Sequence, residues 1–150
     1  MNTHDVISTL NGLIETCKDG EEGFRTCAEN VRNGTLEGVF MELSQHCAES
    51  AKELQSEVRR LGGDPETHGS VLGALHRRWL NVKTAITGKD EAAVLAECER
   101  GEDMAVVAYK DALAQDLPSD VRKLIERQYQ GAIANHDLVR GFRDSFSAAA

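Results

Sequence analysis

Residues 70–87, SVLGALHRRWLNVKTAIT, place Val71, Leu72, Leu75, Trp79, Val82 and Ile86 at helical spacing. Where this segment carries the chain decides the fold. Upstream stands Leu61-Gly62-Gly63-Asp64-Pro65, a strong helix stop, because glycine tolerates positive φ and proline cannot extend a hydrogen-bond ladder. At ~1.5 Å per residue, roughly 18 residues of helix reach about 27 Å, enough to return the chain along most of a bundle. The segment therefore reads as a crossover helix, with Trp79 covering one side.

Four longer helices flank it. Thr3 is positioned to cap a first helix that runs to about Asn33, where Asn33-Gly34 reads as a left-handed stop and Thr35 as the next N-cap. A second helix follows from Leu36 to Leu61. Gly88-Lys89-Asp90 closes the crossover, with Asp90 as N-cap of a fourth helix to about Gln115, and Leu117-Pro118-Ser119 turns the chain into a fifth that reaches Phe146.

The first helix has an apolar seam through Val6, Leu10, Leu13, Cys17, Gly20, Phe24, Cys27 and Val31, and the fifth has one through Val121, Ile125, Gln128, Ala132, Asn135, Val139, Phe142 and Phe146. Helices of similar length with one apolar face each are satisfied by packing as a four-helix bundle. The two short corners make antiparallel hairpins. A crossover between the hairpins then sets the second and fourth helices parallel.

Composition agrees. The chain has 150 residues, two prolines, 5% aromatic and 41% hydrophobic residues, which suits one helical domain over 1–150 and argues against sheet. A net charge of -8 and a pI of about 5.1 disfavour nucleic acid and anionic lipid, since both require a basic surface. No apolar run is long enough for a membrane span, and MNTHDVISTL lacks a basic n-region. The expected location is cytoplasmic. Cys17, Cys27, Cys47 and Cys98 form no CxxC pair and read as buried free thiols, with Cys27 nearest an edge.

Polar residues interrupt the seams at mid-helix. At ~100° per residue, Glu21 falls on the axis of the first helix's apolar face with Ile14, Cys17, Phe24 and Ala28, and Glu102 falls between Cys98, Ala105 and Tyr109. Gln128 and Asn135 join from the fifth helix, with His46 and His136 at the stripe edges. Counting from the first corner sets Glu21 level with His46, whereas Glu102 and His136 are offset by about a turn. The acidic runs Glu21-Glu22 and Glu97 to Asp103 otherwise read as solvated faces.

This plan, with the motifs Leu61-Gly-Gly-Asp-Pro and Glu99-Arg-Gly-Glu-Asp, resembles the ferritin-like superfamily. More narrowly, it resembles a bacterial family of ferritin-like four-helix-bundle proteins that is a domain of unknown function. The resemblance implies an all-α, ferritin-like four-helix bundle with an additional crossover helix between the second and third bundle helices. Di-iron members of the superfamily supply one glutamate from each of two helices and a Glu-x-x-His pair from each of the others. By that resemblance Glu21 and Glu102 match the lone glutamates, and His46 and His136 the histidines. The bridging glutamates have no match, because Leu43 and Ile133 stand three residues before the histidines.

Two readings follow. In the first the protein is a non-enzymatic structural or interaction module with a degenerate metal site, joining a homo-oligomer or protein partner through an exposed helix face. In the other, Glu21, His46, Glu102 and His136, with Glu42 or Glu49 as extra ligands, hold a single divalent iron, manganese or zinc ion for storage, buffering or sensing. No catalytic residue is expected in either. Thiol-based sensing would require a cysteine that reaches solvent.

Overall fold

The computed structural model describes residues 1–87 and 91–149, which form α1 Thr3–Glu29, α2 Gly34–Arg60, α3 Val71–Thr87, α4 Glu91–Leu113 and α5 Ser119–Ala149, with no strand among them. Local polar chemistry sets the ends. Asn2 rather than Thr3 caps α1, its side chain accepting from Asp5 N at 2.8 Å, and Asn33 rather than Thr35 caps α2, accepting from Leu36 N at 3.1 Å. Asn33-Gly34 is thus a helix start and not a left-handed stop. α1 has already ended at Asn30, whose N–H donates to Cys27 O at 3.1 Å. From across the bundle, Glu91 Oε1 accepts from the Arg32 and Asn33 N–H groups at 3.0 and 3.3 Å, and these bonds hold its carboxyl below the ordinary range.

The glycine stop after α2 matches the expectation. Gly62 has φ 83, with Gly62 N donating to Arg59 O at 3.0 Å and Gly63 N to Val58 O at 2.9 Å, the bond pair of a Schellman ending. The expected Gly88-Lys89-Asp90 junction and the Trp79 cover lie outside the described residues and side chains.

Packing fixes the topology. One apolar core joins Leu10 and Ile14 of α1, Leu54 and Val58 of α2, Tyr109 of α4, and Val121 and Ile125 of α5. A second joins Phe24 and Ala28 of α1, Leu36 and Phe40 of α2, Val94 and Leu95 of α4, and Val139 of α5, with Phe24 and Phe40 stacked at 6.2 Å. The first core therefore takes the N-terminal halves of α1 and α5 and the C-terminal halves of α2 and α4, and the second core takes the opposite halves. α2 and α4 run parallel to each other and antiparallel to α1 and α5. This is the connectivity of a ferritin-like bundle.

The crossover is only partly helical. Asn11 holds the linker by donating to Asp64 O at 3.1 Å and accepting from Glu66 N at 2.9 Å. Halfway along α1, Asp19 accepts from Ser70 N at 2.8 Å and Ser70 Oγ at 2.5 Å, and Ser70 Oγ accepts from Gly73 N at 3.0 Å. That catch starts α3 at mid-bundle. From there α3 sends Leu80 into the second core and leaves Val71, Leu72 and Leu75 exposed.

Candidate functional site

Between the two cores lies a cavity of about 480 Å³ to which all five helices contribute. It opens where the seams carry small or polar residues. Gly20, Gly23, Gly101, Gly131, Ala105 and Ala132 line it, so the helices present little side-chain volume at this level.

Glu102 faces this space. It is 5% exposed and makes no hydrogen bond or ion pair with the described residues. Burial first, and the neighbouring Asp103 charge second, push its carboxyl up to about 8. Deeper on the same wall, Tyr109 Oη donates to Gln128 Oε1 at 2.9 Å and lies 3.2 Å from Cys17 Sγ, while Gln128 Nε2 donates to Ser50 O at 3.2 Å. The phenol is held far above its ordinary range by burial first, and then by the neighbouring Cys17, Cys47 and Glu102 groups.

All four cysteines line the cavity as free thiols. Burial pushes Cys17 up to about 11 and raises Cys47 and Cys98 well above the usual thiol range, the latter with help from adjacent Cys27. Protonated thiols are poor nucleophiles. Cys27, expected near an edge, is 4% exposed, because that side of α1 packs into the second core.

The other residues expected at the site are dispersed. Glu21 is half-buried and bonded to its own helix, with Lys18 Nζ at 3.1 Å and Arg25 Nη2 at 3.3 Å. Only its backbone turns to the bundle, where Glu21 O accepts from Ser44 Oγ at 2.7 Å. His46 is exposed at the cavity mouth, 4.0 Å from Glu42. Glu49 lines the rim and accepts from Gln45 at 3.4 Å. His136 Nε2 meets Asp103 Oδ1 at 2.5 Å and its Nδ1 lies 3.4 Å from Asp137. It bonds to the residue after Glu102 rather than to Glu102.

Among the described residues one group brings three ligand atoms of His, Cys, Asp or Glu within 4.8 Å of one another, namely Glu99, Asp103 and His136. His136 alone among the predicted ligands belongs to it. Glu99 and Asp103 are one turn apart on α4, and His136 faces them from α5. Glu99 is buried and engaged by Arg140 Nε at 3.5 Å and Arg143 Nη1 at 2.5 Å. The sequence carried a signal for this group in the i,i+4 acids of α4 opposite i,i+3 arginines of α5, but a charge run alone resembles a solvated face.

Residues 5–115 match the domain of unknown function DUF2383. The chain belongs to that family. The DUF2383 chain is also similar in structure to a two-domain protein from Anabaena variabilis containing DJ-1/ThiJ/PfpI-like and ferritin-like domains. The TM-score is 0.80 at 10% identity, covering all of this chain and 39% of that one. The chain therefore spans well under half of that protein. A Dps1 mutant from Mycobacterium smegmatis superimposes with a TM-score of 0.75 at 15% identity, covering 94% of this chain and 96% of the other. No curated protein matches in sequence. These likenesses establish the ferritin-like fold.

The di-iron centre of the superfamily resemblance has no complete ligand set among the described residues, whose one three-ligand group is Glu99, Asp103 and His136. Leu43, three residues before His46, is 2% exposed in the second core, and Ile133 stands three residues before His136 on α5, so neither supplies the glutamate of a Glu-x-x-His pair. Two iron ions about 4 Å apart need bridging negative charge to offset their repulsion. Glu21 is meanwhile neutralised by two cations.

Proposed function

We propose that this DUF2383 domain is a non-enzymatic ferritin-like bundle that acts as a structural or interaction module and keeps only remnants of a metal site. The observation that carries this reading is the pair Leu43 and Ile133, aliphatic side chains in place of the glutamate of each Glu-x-x-His pair. Support for an interaction role comes from α3, where Val71 is 79% exposed, Leu72 50% and Leu75 53%, three large apolar side chains within two turns of one helix. Protein mixed with ferrous ion should consume oxygen no faster than buffer, and sedimentation across a dilution series should reveal self-association or a retained partner. Iron-dependent oxygen uptake would overturn the non-enzymatic assignment. A monomer at all concentrations, with nothing captured in pull-downs, would overturn the interaction role.

A second reading, a divalent-metal protein for storage, buffering or sensing, is favoured by Glu99, Asp103 and His136. A metal there would displace Arg140 and Arg143 from Glu99. The set expected from sequence, Glu21, His46, Glu102 and His136 with Glu42 or Glu49, would instead require Glu21 to leave Lys18 and Arg25. Thermal shift with manganese, ferrous iron or zinc separates the two sets. Asp103→Asn abolishes the shift only in the first, and Glu21→Gln or His46→Ala only in the second.

A further inference from the structure

We propose that the mid-bundle cavity binds an elongated, mainly apolar organic ammonium, with the Glu102 carboxylate as its counter-ion. The cavity's volume, about 480 Å³, is that of a small-molecule site. Four glycines, Gly20, Gly23, Gly101 and Gly131, are among its lining residues, the last two at its exposed margin.

Charge decides the ligand class. The other lining acids mostly have cationic partners: Asp19 has Arg77 at 3.6 Å, Glu97 has Arg100 at 3.2 Å, and Glu53 is bonded to Arg127. Arg77 also binds Glu22 at 2.7 Å, so its charge is offset by two acids, although its buried Nη1 makes no hydrogen bond. Glu102 is left, more than nine-tenths buried, facing the cavity and without a partner. A buried carboxylate without a donor is costly, so the empty site keeps a proton on Glu102, and an ammonium that takes the place of this proton, which leaves to solvent, stabilises the carboxylate form on binding. The rest of the wall is soft and apolar, with Cys17, Cys47, Cys98, Phe24, Ala105 and Ala132, which suits a hydrocarbon body.

A metal ion fits less well. No three ligand atoms among the described cavity residues lie within 4.8 Å of one another, and the group that satisfies this test is Glu99, Asp103 and His136. The inference therefore stands apart from either reading of function above.

The test uses n-octylammonium and its neutral counterpart n-octanol, titrated calorimetrically into the full chain. Wild-type protein should bind one octylammonium per chain, saturably and at least about tenfold more tightly than octanol. Glu102→Gln, which keeps the shape, should lose at least about tenfold for octylammonium and stay within about twofold for octanol, whose retained binding also reports that the variant is folded. Asp111→Asn, exposed on α4 and outside the cavity, should leave both unchanged. The proposal is overturned by no binding, by equal affinity for the two probes in wild type, by unsaturable uptake, or by a loss in Asp111→Asn that matches the loss in Glu102→Gln. If Glu102→Gln does not fold, the wild-type preference between the probes decides alone.

Discussion

A carboxyl held protonated by its surroundings makes the protein's stability depend on pH, and Glu102 is such a group. Its ordinary value is 4.5 and the folded value is about 8. Between these the folded chain keeps a proton that the unfolded chain has released, so stability is fully present below pH 4.5 and falls as pH rises, until about 8. Glu102→Gln removes the titration. It should match wild type near pH 4.5 and exceed it above pH 8 by on the order of 5 kcal/mol. Urea midpoints of both proteins at the two ends of this range measure the difference, and parallel pH profiles would mean that Glu102 has a counter-charge. Tyr109 predicts the opposite sign. Removing its hydroxyl in Tyr109→Phe strands Gln128 Oε1 and should cost about 1–3 kcal/mol in the same assay. The inward aim of Glu102 was legible because Cys98, Ala105 and Tyr109 surround it on one stripe. Glu21 passed the same test of periodicity yet faces its own helix, since Lys18 and Arg25 stand three and four residues away and its flexible side chain reaches them.

At the scale of elements, the crossover depends on one aspartate. Asp19 binds both the N–H and the hydroxyl of Ser70 and lies 3.6 Å from Arg77. Gly69 and Gly73 leave room for it, since beta carbons there would come within 2.4 and 2.2 Å of Asp19 Oδ1. Asp19→Ala should loosen α3 while sparing the bundle, with hydrogen exchange faster over Val71–Thr87 and unchanged at Leu54 and Ile125. The expected loss of global stability is about 1–2 kcal/mol. Uniformly faster exchange would show that α3 and the bundle unfold together. Helix existence was readable from seam period and from the glycine and proline stops. The caps were misread by one or two residues, because Asn2-Thr3 and Asn33-Gly34-Thr35 each offer several capping side chains and periodicity does not choose among them. The half-extended crossover was not readable either, since its course depends on Asn11 and Asp19, which are distant in sequence.

Over the whole molecule, the topology could be deduced from two short corners and one segment of the right length, whereas the hollow between the cores could not. Periodicity reports which face of a helix turns inward, not how far apart opposing faces stand, and that distance depends on all the helices at one level. Glycines at this level differ in what surrounds them. Gly23, Gly101 and Gly131 border open space, but a beta carbon at Gly20 would lie 2.8 Å from Cys47 Sγ. Alanine should therefore stabilise at the first three positions, by up to about 1 kcal/mol each, and add nearly independently because the positions lie on three different helices. At Gly20 the same change forces the Cys47 thiol to move against a packed α1–α2 contact, and that cost should cancel or reverse the gain. Urea unfolding of the triple variant and of Gly20→Ala separates these outcomes. A triple variant no more stable than wild type would mean that beta carbons at these sites meet neighbours that must shift to admit them.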